Sequence, residues 1–163
     1  MNRQEVARVV DGILDSLKQM SDQIFDYAEL SGEEYQSSAL LEDFLESHGF
    51  AVERGIAGLP TAFRAVYQQG EGGPSFGLLA EYDALSMGHG CGHHMQGPAI
   101  AGAALCIREL AGSRPCRVVV YGTPAEEAIG GKIIMQEKGC FQDIDIALMM
   151  HASPTTCVDL KCM

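Results

Sequence analysis

Three short segments of the sequence carry side chains that can bind a metal ion. They are GHGCGHH at residues 88–94, PAEE at 124–127 and MMH at 149–151. Together they supply a thiolate, imidazoles and carboxylates, which are the ligands of transition-metal sites. Any one of these residues alone would usually have a structural role; a free cysteine, for example, commonly packs as a small hydrophobic residue. The glycines of the first segment permit a tight backbone path that points Cys91 and His93 into one cavity. The combination predicts a transition-metal site.

Two adjacent glutamates, Glu126 and Glu127, suit such a site because their side chains diverge. One can bind the ion while the other faces the water molecule beside it. A divalent ion lowers the pKa of that water, and a nearby carboxylate can take the proton and later give it to a leaving amine. The pair therefore indicates metal-assisted amide hydrolysis. Asp83 either orients a ligand by accepting its spare N–H or caps a turn, and the residues alone leave both roles open.

Apolar residues at steps of three and four predict two helices in the first third of the chain. The first runs from about Val6 to Ile24, and the second ends at Gly49, where a helix cap is expected. The segments AVERGIAG and TAFRAVYQ follow. They predict two short strands that form a hairpin or lie at the edge of a sheet.

Three later runs, SFGLLAEY, RVVVYGT and DIALMMH, are apolar in their centres, as expected for strands covered on both faces. Helices are predicted between them, from about Pro98 to Leu110 and from about Gly130 to Lys138. Strands that alternate with helices indicate an α/β fold with a mostly parallel sheet. In such sheets functional residues gather at the carboxyl ends of the strands, and the three metal-binding segments lie at these ends.

The composition narrows the classes of protein to consider. The chain has 163 residues, enough for one domain with a buried core. Its formal charge of −11 argues against binding to nucleic acid or to an anionic membrane, because both attract clusters of Lys and Arg. No apolar run approaches about 20 residues and no secretory signal is evident, so we expect a soluble cytoplasmic protein. The six cysteines are expected to be free thiols rather than a disulfide framework.

The segments GLLAEYDAL, GHGCGHH, GTPAEEAIGGK and MMHASPTT resemble successive signatures of the M20 family of metallopeptidases, above all those of its branch M20D. That branch includes amidohydrolases acting on N-acyl amino acids, aminobenzoyl-glutamate and auxin conjugates. Residues 76–156 carry the resemblance, whereas the N-terminal helices match loosely. Cys91 and Glu127 are 36 positions apart, and Glu127 and His151 are 24 apart, in agreement with the family pattern.

The resemblance implies a three-layer α/β/α fold of the zinc-exopeptidase type and a role for each matching residue. Glu126 would be the general base, and Asp83 the acidic residue that supports the centre. The ligands of a two-metal centre would be Cys91, His93, Glu127 and His151. Zinc is the first expectation, with manganese, cobalt and nickel as alternatives, because ligand type seldom decides alone. The substrate would be a small molecule, either an N-acyl amino acid or a dipeptide-like amide.

The chain departs from the family pattern at two residues and in length. His94 stands where the family usually has Asn or Asp, and Ser86 where it commonly has Pro, and neither change removes a ligand. Family members are more than twice as long and continue into a lid and dimerisation domain. We therefore expect residues 1–163 to be the N-terminal part of a catalytic domain, incomplete at its C-terminal end and without the family's last histidine ligand. A homodimer would form through the missing domain.

Two other functions stay open beside the leading interpretation of a metal-dependent amide hydrolase. A short form that binds metal or pairs with another subunit, without catalysis, would account for the missing ligand and lid. A redox or thiol enzyme built on Cys91 is the other alternative. It is the weaker one, because a nucleophilic cysteine needs a histidine and an orienting acid but no paired glutamates.

Overall fold

The computed structural model describes residues 2–153 and residue 155. Within these residues no helix is long and apolar enough to cross a membrane. The helices are α1 (Arg3–Tyr27), α2 (Tyr35–Ser47), α3 (His93–Leu110) and α4 (Gly131–Glu137), and the strands are β1 (Ala51–Arg54), β2 (Phe63–Gln69), β3 (Ser75–Ala80), β4 (Cys116–Gly122) and β5 (Ile146–Leu148).

The strands form one sheet in the order β1-β2-β4-β3-β5. Strand β3 runs parallel to β4 and β5, whereas β2 runs antiparallel to β1 and β4. The predicted pair of short strands therefore enters the sheet beside β4 and makes it mixed. The carboxyl ends of β3, β4 and β5 meet at the same edge of the sheet, and one of the three predicted metal-binding segments follows each of these ends.

Helices cover both faces of this sheet. The larger core lies under α1, α2 and α3 and includes Ile24, Leu45 and Leu105, whereas Met135 of α4 packs with Val119 on the opposite face. Burying one such side chain stabilises a fold by roughly 1.5–3 kcal/mol, so the larger core supplies most of the hydrophobic stabilisation. The α/β class with three layers is confirmed.

Helix α1 is longer at both ends than the apolar pattern predicts. A capping box starts it: the side chain of Asn2 accepts the N–H of Glu5 at 3.0 Å, and the carboxylate of Glu5 accepts the N–H of Asn2 at 2.7 Å. These bonds satisfy two donors that an uncapped helix would leave without partners. The helix ends at Tyr27, and the capping residue Ala28 has a left-handed backbone (φ 44°) that stops the helical turns.

The predicted start of α3 near Pro98 is wrong, because the helix begins at His93. Gly92, with φ at 82°, ends the preceding loop in a conformation that favours glycine. Pro98 lies inside the helix, where its missing N–H removes one hydrogen bond without stopping the turns before it. The correction places His93 on the first turn of a helix rather than in a loop.

The prediction that β5 is covered on both faces is also wrong. Its three residues are exposed. Among the described strands, β5 lies at the edge of the sheet and pairs only with β3, so its apolar composition does not ensure burial. The segment that leads to His151 therefore begins from an exposed edge strand.

Candidate metal centre

His93 is buried against the segment that follows β3. Its Nδ1 lies 3.0 Å from the carboxylate Oδ1 of Asp83 and 3.0 Å from the carbonyl oxygen of the same residue. Both of these partners accept hydrogen bonds, so Nδ1 carries a proton and donates it. In neutral His93 the lone pair is therefore on Nε2, which is the form of imidazole that binds a metal ion.

Asp83 is buried and links three parts of the site. Its second oxygen, Oδ2, accepts the hydroxyl of Ser31 at 2.6 Å and the N–H of Glu127 at 2.9 Å. Burial by itself would raise the pKa of Asp83, but hydrogen bonds from His93, the Glu127 N–H and Ser31 outweigh it, so that the pKa is lowered. Of the two roles that the sequence leaves open, these contacts fit a residue that orients a histidine ligand.

Three ligand atoms surround Nε2 of His93. Nε2 of His151 and Oε2 of Glu81 each lie 3.3 Å away, and Oε1 of Glu127 lies at 3.8 Å. Nδ1 of His151 is 2.9 Å from the carbonyl oxygen of Ala152, so Nδ1 donates and Nε2 of His151 also carries a lone pair. Lone pairs facing one another at such distances repel, and a cation between them removes the repulsion.

These side chains form two overlapping clusters. One consists of Glu81, His93 and His151, and the other of His93, Glu126 and Glu127. Within each cluster the ligand atoms lie within 4.8 Å of one another. Imidazole nitrogen and carboxylate oxygen together suit zinc and its neighbours among the first-row divalent metals. The donor set therefore fits a divalent transition-metal ion, with His93 shared between the clusters.

The segment that carries the paired glutamates is held by a second buried carboxylate, that of Glu34. Ala125 has a left-handed backbone (φ 58°), which is costly for a residue with a Cβ atom. Its N–H donates to Oε1 of Glu34 at 2.7 Å. Since Asp83 accepts the N–H of Glu127, two buried carboxylates fix the backbone on either side of Glu126.

Cys91 lies half-buried in the loop before α3. Interaction with the carboxylate of Glu127, burial and the charge of Glu126 raise the pKa of the thiol to about 11. The clusters found among the described residues do not include Cys91. The structure thus places Cys91 beside one of its predicted co-ligands but not among the converging ligand atoms. A raised thiol pKa also runs against the alternative of a nucleophilic cysteine.

His94, whose role the sequence leaves open, is not a member of either cluster. Its ring packs edge-on against Phe25, with the ring centroids 5.1 Å apart, and lies 5.2 Å from the ring of His89. The contact with Phe25 joins the first turn of α3 to the end of α1, and His89 belongs to the loop before α3. In the structure His94 therefore packs beside the candidate centre without facing its ligand atoms.

Sequence reasoning missed two buried glutamates, Glu81 and Glu34. Glu81 precedes Asp83 by two positions, and alternate residues of an extended segment lie on the same side. The tripeptide EYD could therefore have indicated that Glu81 faces the site together with Asp83. Glu34 contacts Ala125 across 91 positions of sequence, and no local pattern connects them.

Several curated proteins are similar to most of the chain. It is 36% identical to one of the subunits of the p-aminobenzoyl-glutamate hydrolase of Escherichia coli, over 91% of the chain and 35% of that protein. It is 38% identical to the Xaa-Arg dipeptidase of Homo sapiens, over 90% of the chain and 38% of the dipeptidase. It is 30% identical to the N-acetyl-L-cysteine deacetylase of Bacillus subtilis, over 81% of the chain and 35% of the deacetylase. The chain thus spans little more than a third of the length of these relatives. No protein-family model matches it.

Solved structures define the class of the fold. The YXEP protein of Bacillus subtilis, described as a dinuclear metal binding peptidase from the M20 family, superposes with a TM-score of 0.75 at 21% identity, over 94% of the chain and 45% of that structure. The aminobenzoyl-glutamate utilization protein of Klebsiella pneumoniae superposes with a TM-score of 0.75 at 17% identity, over 90% of the chain and 46% of that structure. The fold is therefore that of the M20 peptidases. Taken with the curated relatives, it shows that the chain belongs to the M20 family and corresponds to the N-terminal part of its members.

Proposed function

We propose that the chain is the N-terminal part of the catalytic domain of a metal-dependent hydrolase, which cleaves an amide bond in an N-acyl amino acid or a small peptide-like substrate. The observation that carries this proposal is the convergence of Nε2 of His93, Nε2 of His151 and the carboxylate of Glu127 at the carboxyl edge of the sheet. Ligands of this kind, gathered at this edge, suit a hydrolytic metal site.

Each residue has a task in this proposal. His93, His151 and Glu127 would hold the ion, and Cys91 would join them as a thiolate, once the ion has displaced the proton of its thiol. When bound, a divalent cation supplies Lewis-acid activation of a water molecule and of the substrate carbonyl. Glu126 takes the proton from the attacking water and passes it to the departing nitrogen. Asp83 keeps His93 in the tautomer that leaves Nε2 available.

The similar proteins support the substrate class. Their names describe a p-aminobenzoyl-glutamate hydrolase, an Xaa-Arg dipeptidase and an N-acetyl-L-cysteine deacetylase. The compounds in these names share an amide bond to the nitrogen of an amino acid. We propose the same chemical class for the protein to which this chain belongs, without choosing the acyl group or the side chain.

We propose zinc as the first candidate metal and two ions as the full complement. The description of the YXEP protein as dinuclear supports two ions, and Nε2 of His93, whose Nδ1 donates to Asp83, would bind one of them. Manganese, cobalt and nickel are alternatives, because the same donors bind them and geometry rather than affinity separates them. A homodimer, if formed, would use a lid and dimerisation domain outside residues 1–163.

The alternative of a non-catalytic short form is less well supported. An apolar groove of about 810 Å³ runs between α1, α3 and the end of β5, and its lining includes Leu17, Leu148 and Met150. Leu148 and Met150 are 49% and 43% exposed. An apolar surface of this kind usually binds another part of a protein. It therefore favours a catalytic domain whose sheet continues beyond β5 over a self-contained binding protein.

Metal analysis of the purified chain tests the proposal. The wild type, prepared without chelator, should contain one to two divalent ions per chain, while Glu127→Ala and Cys91→Ser should lose most of them. Glu71→Ala and Cys140→Ser are matched controls, since Glu71 is an exposed loop residue and Cys140 packs against the smaller core, and both variants should retain the metal. A wild-type chain without bound divalent metal, or variants that keep it, would contradict the proposed centre.

A further inference from the structure

Glu81 is a buried carboxylate inside the candidate centre, with 1% of its surface exposed. Oε1 forms an ion pair with Lys132 of α4. Oε2 accepts the side-chain amide of Gln96 at 2.8 Å and lies 3.3 Å from Nε2 of His93. Both oxygens are therefore fixed in place, and one of them faces the nitrogen proposed to bind metal.

The tautomers of the two histidines decide what Oε2 faces. Asp83 accepts the proton on Nδ1 of His93, and the carbonyl oxygen of Ala152 accepts the proton on Nδ1 of His151. Two nitrogen lone pairs and one carboxylate oxygen then converge, with all three ligand atoms within 4.8 Å. A divalent cation at their centre satisfies the three electron-pair donors at once.

The partners of Glu81 explain how a carboxylate is held ready at this depth. A buried charge is costly unless it is paired, and the ammonium group of Lys132 provides the pair. Gln96 fixes the other side: its Oε1 accepts the N–H of Glu81, and its amide group donates both to Glu81 and to the carbonyl oxygen of Met150 at 2.7 Å. Gln96 thus connects Glu81 to the residue that precedes His151.

We propose that Glu81 is an additional oxygen ligand of the metal centre, binding one ion together with His93 and His151, and that Lys132 and Gln96 are its positioning residues. The inference rests on the proposed function, since it names a further ligand of the same centre. Lys132 engages Oε1, so Glu81 binds through Oε2 alone. This ion then has one carboxylate and two imidazole ligands from the chain.

The test uses Zn²⁺ and Co²⁺ as probes and compares the wild type with Glu81→Gln. Zn²⁺ affinity is measured by competition with a chromophoric chelator, and the visible absorption of the Co²⁺ form reports the ligands directly. Loss of the carboxylate should weaken Zn²⁺ binding at least about tenfold and change the Co²⁺ spectrum. Glu42→Gln is the matched control, because Glu42 is also buried and paired with an arginine, Arg54, but lies outside the clusters.

Thermal unfolding of the metal-free protein separates a role of Glu81 in stability from its role in metal binding. If Glu81→Gln fails to fold, Glu81→Asp keeps the charge beside Lys132 and withdraws the oxygen from His93, and it should show the same weakening of Zn²⁺ binding with a metal-free Tm near that of the wild type. Wild-type affinity and an unchanged Co²⁺ spectrum in the folded variants would overturn the role of Glu81 while leaving the proposed function intact. Failure of the wild type itself to bind either ion would overturn both.

Discussion

Replacing Glu34 by alanine tests whether this buried carboxylate holds the backbone beside the proposed general base. One oxygen of Glu34 accepts the N–H groups of Gly32 at 2.8 Å and Ala125 at 2.7 Å, and the other accepts the hydroxyl of Thr61 at 2.8 Å. In the variant the buried N–H of Ala125 has no acceptor, which costs about 1–3 kcal/mol. Gly32 is half-buried and the hydroxyl of Thr61 can rotate, so their losses are smaller. We expect the free energy of unfolding to fall by about 2–4 kcal/mol.

Urea unfolding followed by circular dichroism, with chelator present to exclude effects of metal, measures this loss. Glu33→Ala, at the exposed neighbouring position, is the matched control and should stay within about 0.5 kcal/mol of the wild type. Glu34→Gln keeps an oxygen for the N–H of Ala125, so it should lose about 1 kcal/mol. If Glu34→Ala were as stable as the Glu33 control, the backbone of this segment would not depend on Glu34, and the reasoning would be refuted.

Two further predictions concern carboxylates with different tasks. Asp83→Asn should weaken Zn²⁺ binding by about 10–100-fold, because the carboxamide no longer offers His93 a charged acceptor. Titration calorimetry measures the dissociation constant. A value equal to that of the wild type would contradict this role of Asp83. The pKa of Asp143 is lowered, since hydrogen bonds from Arg117 and Tyr121 outweigh the opposing effect of burial. A lowered carboxyl pKa gives stability that is present above the unfolded-state pKa and is lost as pH falls through the folded-state pKa. The free energy of unfolding of the wild type should therefore decline more steeply below about pH 4 than that of Asp143→Asn, and parallel pH profiles would count against the ion pair as its source.

Local patterns were enough to predict the order of helices and strands, whereas the metal ligands stay a prediction. The period of apolar residues identifies α1 and α2, because each buries one stripe of a helix. Burial of β5 was not predictable in the same way, since it depends on what lies beside the strand rather than on the strand itself. The start of α3 was predicted too late for a related reason. A proline inside a helix removes one hydrogen bond, and the packing of a long helix can outweigh that local cost.

In the candidate site, too, some features follow from local sequence and others depend on the folded chain. Its proposed ligands follow strand ends, so the order of strands and helices was sufficient to predict that His93 and Glu127 lie close together. The groups that hold these ligands come from distant parts of the chain, as Ser31 does when it donates to Asp83 across 52 positions. Such contacts depend on the shape of the folded chain, and a single sequence carries no periodic signal for them.

Of the proposed ligands, His151 is the one that the fewest contacts hold in place. It is exposed and follows the short edge strand β5, and the amide of Gln96 anchors the preceding carbonyl oxygen of Met150. A ligand that occupies its binding position for only part of the time lowers the apparent metal affinity by that fraction. Any surface that packs into the apolar groove beside β5 would stabilise this segment and so raise the affinity without adding a ligand. Metal binding at the centre and packing at the edge of the sheet are therefore expected to be thermodynamically coupled, each favouring the other.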